Sequence, residues 1–509
     1  MIRTLFLALL VFLPAFRGLR LLGQEGQGAP VSASGLTDRQ EKVLQGVARG
    51  RYGGRWQELT DDQLAALQRR ADAYLERLSR RHLREGLVVS LRLDGPTNGA
   101  PVAYEALELS AAQTGYLLGV EALRFAVTRD ARPMVGISNL LTGVDRLLTS
   151  GPRPGFLPVF VGAAADPAYR AVFPGYGGED PKRPGFGRWA REGTGSNSVP
   201  VVWLGGADRE AYAALNLGLG LVHKLVRDTT IRERVTRSVG MMLERLREDG
   251  WRIDDGCGRT NFVTPLLKAA LLCTGANTEP RIYLAPYRTT VAEALELPSP
   301  ALTRYGVYSR NVSTFANLFL MARLDPDSSR VEIFRQRLTQ LWDDAEPDLN
   351  PVLAALFMDA FERRPNNSGA ITILQGILAQ FPDPPRVRVG LRDSDQPPVR
   401  LTANGREWAR QAQLLDRRPV APFQWFETPY RLADDAASPA PFVEHPGVDF
   451  LLAYWLAKDA GLLASAARAE ESTVRRTGAG SGAGENGTPG GNAVRGRTNP
   501  PARTGGPAR

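Results

Sequence analysis

Residues 208–227 read DREAYAALNLGLGLVHKLVR, and residues 230–249 read TIRERVTRSVGMMLERLRED. The first stretch is apolar nearly all the way round, with Asp208 and Glu210 at its entrance. The second puts Ile231, Val235, Val239, Met242 and Leu246 on one stripe and fills the other faces with Arg and Glu. A helix apolar on every side is buried, and a helix with a single stripe lies at a surface. A buried helix followed by a surface helix is one unit of a two-layer wall.

The same alternation extends in both directions. Thr60 to Gln63 is a capping box ahead of Leu64, Leu67, Ala71, Leu75 and Leu78, which follow at helical spacing with an Arg-rich outer face. Thr37 to Gln40 matches the same box. LVVSLRL at 87–93 predicts a short strand. Residues 101–128 are small and apolar and predict a buried helix, and 132–149 a further one. Thr230 to Glu233 and Ser329 to Glu332 are two more boxes, the second opening the amphipathic RVEIFRQRLTQLW. Residues 260–274 and 310–323 are apolar, and helical runs fall near 349–362, 367–380 and 447–463. Residues 151–205, rich in Gly, Pro and aromatics, read as a long structured loop.

Alternating buried and surface helices predict an all-α fold in which an inner ring is wrapped by an outer one. There is no fixed repeat of about 34 to 47 residues, which sets aside an α-solenoid. Gly218-x-Gly220 lies inside a helix and suits close inner-ring packing rather than a dinucleotide loop.

The ends differ from the body. MIRTLFLALLVFLPAFRGLR puts one Arg ahead of an apolar run from Leu5 to Phe16. That run is shorter than the ~20 residues of a membrane span and fits an export signal. A cleaved signal with a small-residue site near Ser32 to Ser34 and an uncleaved anchor both fit it. The organisation expected is therefore 1–22 signal or anchor, 23–36 linker, 37–465 helical domain and 466–509 a disordered Gly/Pro/Arg-rich tail, in a secreted or periplasmic protein. Beyond such an anchor, no membrane span is expected.

The formal net charge is +9, but Arg3, Arg17 and Arg20 and the Arg-rich tail carry most of it. The body is nearly balanced, so no nucleic-acid partner is expected. Cys257 and Cys273 are the two cysteines. Export permits a disulfide between them, and a buried apolar role suits Cys273 equally. Two Cys and three His do not suggest a metal site, and no cofactor is expected. HExxH, GxSxG and Walker patterns are absent.

DGPTNGAPVAYEAL (94–107), LTSGPRPGFLPVF (148–160), WLGGADREAYAALNLGLGLVHKLV (203–226), FQWFETPYR (423–431) and HPGVDFLLAYW (445–455) follow one another in an order that looks familiar. In pattern and order, residues 60–463 resemble exported bacterial members of the six-hairpin glycosidase-like superfamily. The resemblance implies an (α/α)6 toroid with a substrate funnel where loops enter the inner helices, and Asp or Glu as the catalytic residues.

Asp208 is a preferred N-cap, favoured at the positive helix end, and Glu210 adds to the same effect. A cap on an inner helix also sits at a funnel floor, so the two roles are compatible. Glycoside cleavage needs a proton donor and a second carboxylate, about 5 Å away for retention and about 6.5 to 9.5 Å for inversion. Two residues apart on a helix, Asp208 and Glu210 diverge. Asp208 is better paired with Asp94, Asp255, Glu105 or Asp254 from other loops.

Trp189, Trp203, Trp251, Trp425 and Tyr430 fall in predicted loops or helix entries, where flat rings suit sugar faces or pack the loops themselves. Arg188 and Arg431 beside them suit an acidic sugar, because Arg grips a carboxylate with two hydrogen bonds. His82 reads as a charge at a helix C-terminus and His223 as a core histidine; His445 or Tyr430 would serve a lyase as base. The expectation is a glycoside hydrolase acting on a poly- or oligosaccharide. The alternatives are a non-catalytic toroid that binds a glycan or protein partner, and a polysaccharide lyase.

Overall fold

The computed structural model describes residues 59–95, 99–166, 190–194, 200–256, 260–361, 368–387, 399–400, 407–418, 420–432 and 442–463. The export segment, the linker, the tail and the capping box at Thr37 lie outside these residues, as do Arg188, Trp189 and Cys257.

Helices dominate. The described residues hold twelve α-helices: α1 Asp61–Arg77, α2 Ser110–Thr128, α3 Arg132–Thr149, α4 Arg209–Leu225, α5 Thr229–Glu248, α6 Pro265–Thr278, α7 Pro280–Glu296, α8 Ser309–Leu324, α9 Ser328–Ala345, α10 Pro351–Asp359, α11 Ser368–Gln380 and α12 Val448–Asp459. Burial alternates along this order. Every residue of α10 is buried, as is an unbroken run from Glu210 to His223 in α4. By contrast α1 buries Leu67, Ala71 and Tyr74, and α9 buries Phe334, Leu338, Leu341, Trp342 and Ala345. Helix α5 buries the five stripe residues read from the sequence.

Each even-numbered helix packs against the next: α2 on α4, α4 on α6, α6 on α8, α8 on α10, α10 on α12 and α12 on α2. The odd-numbered helices lie against them, with α3 on α2, α5 on α4 and α6, α7 on α6, α9 on α8 and α10, and α11 and α1 on α12. Among the described residues, no helix is long and apolar enough to cross a membrane.

The closest approach is between α2 and α4. A Cβ on Gly218 would collide with the carbonyl oxygen of Gly115, and one on Gly115 would sit against the Ala214–Leu215 backbone. These two glycines let the helix backbones touch, as the spacing of Gly218 suggests.

Several local expectations change. The helix expected over 101–128 begins at Ser110, because Pro101–Glu105 forms strand β4. It pairs antiparallel with β3 (Ser90–Leu93), Leu91 opposite Tyr104. Residues 260–262 likewise form a strand, β9, hairpinned to β8 (Arg252–Asp254), and α6 starts only at Pro265 behind a Thr264 cap. The boxes at Thr230 and Ser329 are not the caps used: Asp228 and Asp327 accept those first amide hydrogens, two residues upstream. Asp caps at least as well as Ser or Thr. Helix α7 has no counterpart in the sequence reading. Its inward stripe is Tyr283, Tyr287, Thr290, Val291 and Ala294, and Pro286 lies inside it. The segment expected as loop, 151–205, contains a three-stranded antiparallel sheet, β5 (Phe160–Ala163), β7 (Pro200–Leu204) and β6 (Ala190–Thr194), with β7 in the middle.

Two short hairpins, β1 (Leu83–Arg84) with β2 (Leu87–Val88) and β11 (Val399–Arg400) with β12 (Glu407–Trp408), stand apart, and other strands occupy consistent places. β4 leads into α2, β7 into α4, β9 into α6 and β13 (Val443–His445) into α12. They deliver the chain to the N-terminal ends of buried helices. β13 also pairs with β3 and with β10 (Arg386–Val387), fastening the late part of the body to the early part. At that seam Glu444 is fully buried, with Arg77 Nε at 2.5 Å, Arg77 Nη2 at 2.9 Å, Arg81 at 3.3 Å and His82 Nε2 at 3.0 Å. Burial opposes the Glu444 charge, but the His82 and Arg77 hydrogen bonds outweigh it and hold the carboxyl down at about 2. His82 sits in a π-helical turn (Leu78–His82), and its other nitrogen meets the Val89 carbonyl at 2.9 Å. Its role is a buried tether rather than a solvated helix-end charge.

Candidate functional site

Strand β7 buries Val201, Trp203 and Leu204 and then meets Gly205 and Gly206. Gly206 has φ +97°, and its N–H donates to the Asp255 carbonyl at 2.8 Å. A Cβ on Gly205 would strike that same oxygen. The two glycines therefore press the exit of β7 against the 254–256 turn. Two residues later Asp208 takes an extended conformation, φ −123° and ψ −176°, and its Oδ1 accepts from the Ala211 N–H at 2.9 Å. It is the N-cap of α4.

The capping role does not exhaust Asp208. Its carboxyl group also shares a hydrogen bond with the carboxyl of Glu210. The divergence expected for residues two apart holds only when both are helical. Asp208 precedes the helix, so its side chain turns back over the first turn. Glu210 is buried and accepts from Ser309 Oγ at 3.2 Å, which ties α4 to the start of α8. Two acidic groups so close cannot both ionise freely. Asp208 is pushed up to about 7, first by the protein packed around its carboxyl and then by the Glu210 charge. The residue nonetheless keeps exposed surface.

Tyr116 of α2 completes the group. It is fully buried, lies within electrostatic reach of Glu210 and Asp208, and stacks on Phe423 at 4.9 Å. Its hydroxyl has no hydrogen-bond partner among the described residues. On the same helix Gln113 donates to the Pro422 carbonyl at 3.1 Å, and its Oε1 has no partner among the described residues. Buried polar atoms without partners are uncommon and call for a reason. Glu210 also lines a cavity of about 300 Å³, walled by the N-terminal ends of α4, α6 and α8.

The other residues singled out in the sequence are distributed as follows. The Asp255 segment is joined to the Asp208 loop through the Gly206 hydrogen bond. Asp94 is elsewhere in role: exposed at the β3–β4 hairpin, its Oδ1 accepts from Ala100 N–H at 2.7 Å. Glu105 pairs with Arg92 at 2.7 Å, and Asp254 with Arg153 at 3.2 Å. Trp203 is buried, edge-on to Phe156 at 5.3 Å, with Gly256 against its ring. Trp251 is half-buried, with Lys268 Nζ 4.8 Å over its ring. Trp425 is fully buried and its indole N–H donates to the Asp449 carbonyl at 2.9 Å. Tyr430 is buried and its hydroxyl donates to Asp348 at 2.8 Å. All three rings are buried, and the polar edges of Trp425 and Tyr430 are engaged inside the protein. Arg431 pairs with Glu427 at 3.3 Å. His223 accepts from Arg232 at 3.1 Å and is held down at about 4 by burial and then by that charge. His445 is buried with Nδ1 3.0 Å from Ser90 Oγ. Cys273 is buried and free, and burial pushes its thiol up to about 12. Among the described residues, no group of three or more His, Cys, Asp or Glu could hold a metal ion.

Sequence reasoning did not single out Tyr116 or Ser309, and it set Glu210 aside as a partner of Asp208 because the two side chains were expected to diverge. A tyrosine in an otherwise small and apolar helix, SAAQTGYLLG (110–119), is the signal that marks the first.

No protein-family model and no curated protein matches the chain. Among solved structures, the apo form of a β-1,3-1,4-glucanase from Paenibacillus sp. X4 aligns with 81% of this chain and 96% of its own length, at 9% identity and a TM-score of 0.38. A likeness of that size carries no argument about fold or activity.

Proposed function

We propose that this chain is an exported glycoside hydrolase with a six-hairpin (α/α)6 toroid over 37–465, in which the Asp208–Glu210 pair is the proton donor. The observation that carries the reading is an exposed Asp208 at the entrance of α4 beside the buried Glu210, a setting that pushes the Asp208 carboxyl up to about 7. The toroid reading is supported by the helix order: each even-numbered helix meets the next, and α12 meets α2. Residues 1–22 as export segment, 23–36 as linker and 466–509 as tail belong to the same proposal, as does a place outside the cytoplasm.

Cleaving a glycosidic bond requires a proton on the leaving oxygen. An ordinary Asp is ionised at neutral pH and has none to give, whereas a carboxyl near 7 does. Hydrolases hold their second carboxylate about 5 Å away, or about 6.5 to 9.5 Å away with a water between. Asp208 and Glu210 are in direct hydrogen bond, closer than either arrangement. They act as one proton-holding unit, and the base or nucleophile comes from another segment. Asp255, fastened to the same loop, is the candidate, ahead of Asp94, whose carboxylate braces its own hairpin.

The test is sugar release by the full chain from a panel of polysaccharides that includes uronic-acid polymers, beside Asp208→Asn and Glu210→Gln with folding checked by circular dichroism. Release by the parent and loss in folded Asp208→Asn is the expected result. Release unchanged in that variant returns Asp208 to capping alone. No release from any polymer favours a toroid that binds a glycan without cutting it.

A further inference from the structure

We infer that Phe262 is a stacking platform for a sugar ring at the mouth of the cavity beside Glu210, and that it makes the site favour glycan chains over single sugars; this rests on the carbohydrate reading of the Asp208 site. Phe262 is 61% exposed, the most exposed aromatic side chain among the described residues. Single exposed apolar residues are ordinary, so its placement decides what it means.

The β8–β9 hairpin that carries Phe262 is fixed from below and from the side. Its Ile253 and Val263 are buried, and the Val263 N–H donates to the Trp251 carbonyl at 2.9 Å. Two hydrogen bonds clamp it to the Asp208 loop. The Gly206 N–H donates to the Asp255 carbonyl at 2.8 Å, and Arg209 Nε donates to the carbonyl of Phe262 itself at 2.8 Å. The backbone of Phe262 is thus held by the side chain of the residue that follows Asp208. Arg252, its partner across the hairpin, lies over one face of the ring at 4.8 Å, a cation–π contact that steadies it. With one face covered and most of the residue exposed, the other face is open to solvent.

The surroundings of the cavity are a second observation. Leu297 stands in its wall and is exposed. Val307 is exposed too, and its carbonyl accepts from Thr303 Oγ1 at 3.1 Å and from the Arg310 N–H at 3.3 Å, both lining residues. Phe262 is two residues from Thr264, which also lines it. Phe262, Leu297 and Val307 therefore put exposed apolar surface around one mouth, with Glu210, Thr264 and Arg310 between them. A sugar ring matches that mixture, since its C–H faces suit the apolar groups and its hydroxyls can donate to a carboxylate or accept from a guanidinium. About 300 Å³ holds one ring. Phe262 stands outside that lining, so the ring stacked on it is a neighbour in the same chain.

The test is ligand-observed NMR of the full chain with glucose, xylose and mannose, each beside its β-1,4-linked hexasaccharide. New reducing-end signals in the same spectra report cleavage. At least one hexasaccharide should bind about tenfold tighter than its monosaccharide, the size of effect one aromatic contact supplies. Phe262→Ala should bring that hexasaccharide down to the affinity of its monosaccharide, and Phe262→Tyr should keep the gain. Because Phe262 is exposed, its variants are expected to fold, and circular dichroism checks this. Ile282→Ala removes another exposed apolar side chain, at the end of α7 away from the cavity wall at Ala294 and Leu297, and should change nothing. No binding of any hexasaccharide, a gain that survives Phe262→Ala, or an equal loss in Ile282→Ala overturns the platform. Cleavage with the gain untouched by Phe262→Ala removes the platform alone, and a Phe262-dependent gain without cleavage removes the hydrolase.

Discussion

The carboxyl groups of Asp208 and Glu210 are hydrogen-bonded to each other across a single intervening residue, with Asp208 outside the helix and Glu210 in its first turn. Two causes raise Asp208, and they can be separated by mutation. Glu210→Gln removes the neighbouring charge but leaves the surrounding protein. The alkaline limb of activity, expected to fall as pH rises through about 7 in the parent, should move to lower pH in this variant without reaching the range of a solvated Asp. Rate against pH for parent and variant measures the shift, and identical profiles would exclude the dyad as proton donor.

The same raised value makes a stability prediction independent of any substrate. A carboxyl with a higher pKa folded than unfolded binds more protons in the native state between the two values. Stability from this group is therefore complete below about 4 and is lost as pH rises toward 7. Asn at 208 can still cap α4 and carries no charge. Asp208→Asn should thus gain thermal stability relative to the parent at pH 8 and show no gain at pH 4. Melting curves of both proteins at the two pH values decide it.

Glu444 has the opposite sign. Its folded value, about 2, lies below the ordinary 4.5, so its contribution is present above pH 4.5 and drains away as pH falls toward 2. Removing one member of a buried ion cluster strands the others, typically at about 3–5 kcal/mol. Glu444→Gln leaves the Arg77 and Arg81 guanidinium groups without a counter-charge and should destabilise by that order at pH 7. The gap between variant and parent should narrow by pH 3. Denaturant unfolding at both values is the check, and a gap independent of pH would show that packing rather than charge is what was lost.

The parts of the fold legible in the sequence were those decided by apolar spacing. Helices α4 and α5 were readable because Leu, Ala and Gly fill every face of one, and Val235, Val239 and Met242 mark one face of the other. Helix α7 was not, since its buried face is built from Tyr283, Tyr287 and Thr290, residues that also suit loops and strands. Capping boxes misplaced two helix starts because Asp228 and Asp327 open each helix two residues upstream, accepting from Ile231 N–H and from Ser329 and Arg330 N–H. Asp208 was legible as a cap. Its bond to Glu210 was not, because it depends on one residue being outside the helix, and spacing alone assumes both are inside. Trp425 and Tyr430 looked like loop aromatics, but their partners, Asp449 and Asp348, lie far away in sequence.

The contact between α2 and α4 gives a last prediction, one that runs against helix propensity. Alanine is favoured over glycine by about 1 kcal/mol in a helix interior. At Gly218 the added methyl would collide with the carbonyl oxygen of Gly115 and press on Leu118 Cβ at 3.0 Å. The obstacle is backbone of a buried helix, which cannot swing aside like a side chain, so both helices must separate. Overpacking of this kind typically costs about 1–3 kcal/mol, more than propensity returns. Gly218→Ala should therefore lower the midpoint of unfolding. Gly240 in α5 is the control, since its Cβ would meet only Glu279 Oε2, at 3.5 Å. Gly240→Ala should raise the midpoint by the propensity term. Gly115→Ala should resemble Gly218→Ala, and the double variant should cost less than the sum, because one separation of α2 from α4 relieves both collisions. Equal and additive effects at all three glycines would mean that the backbones of α2 and α4 do not touch in solution.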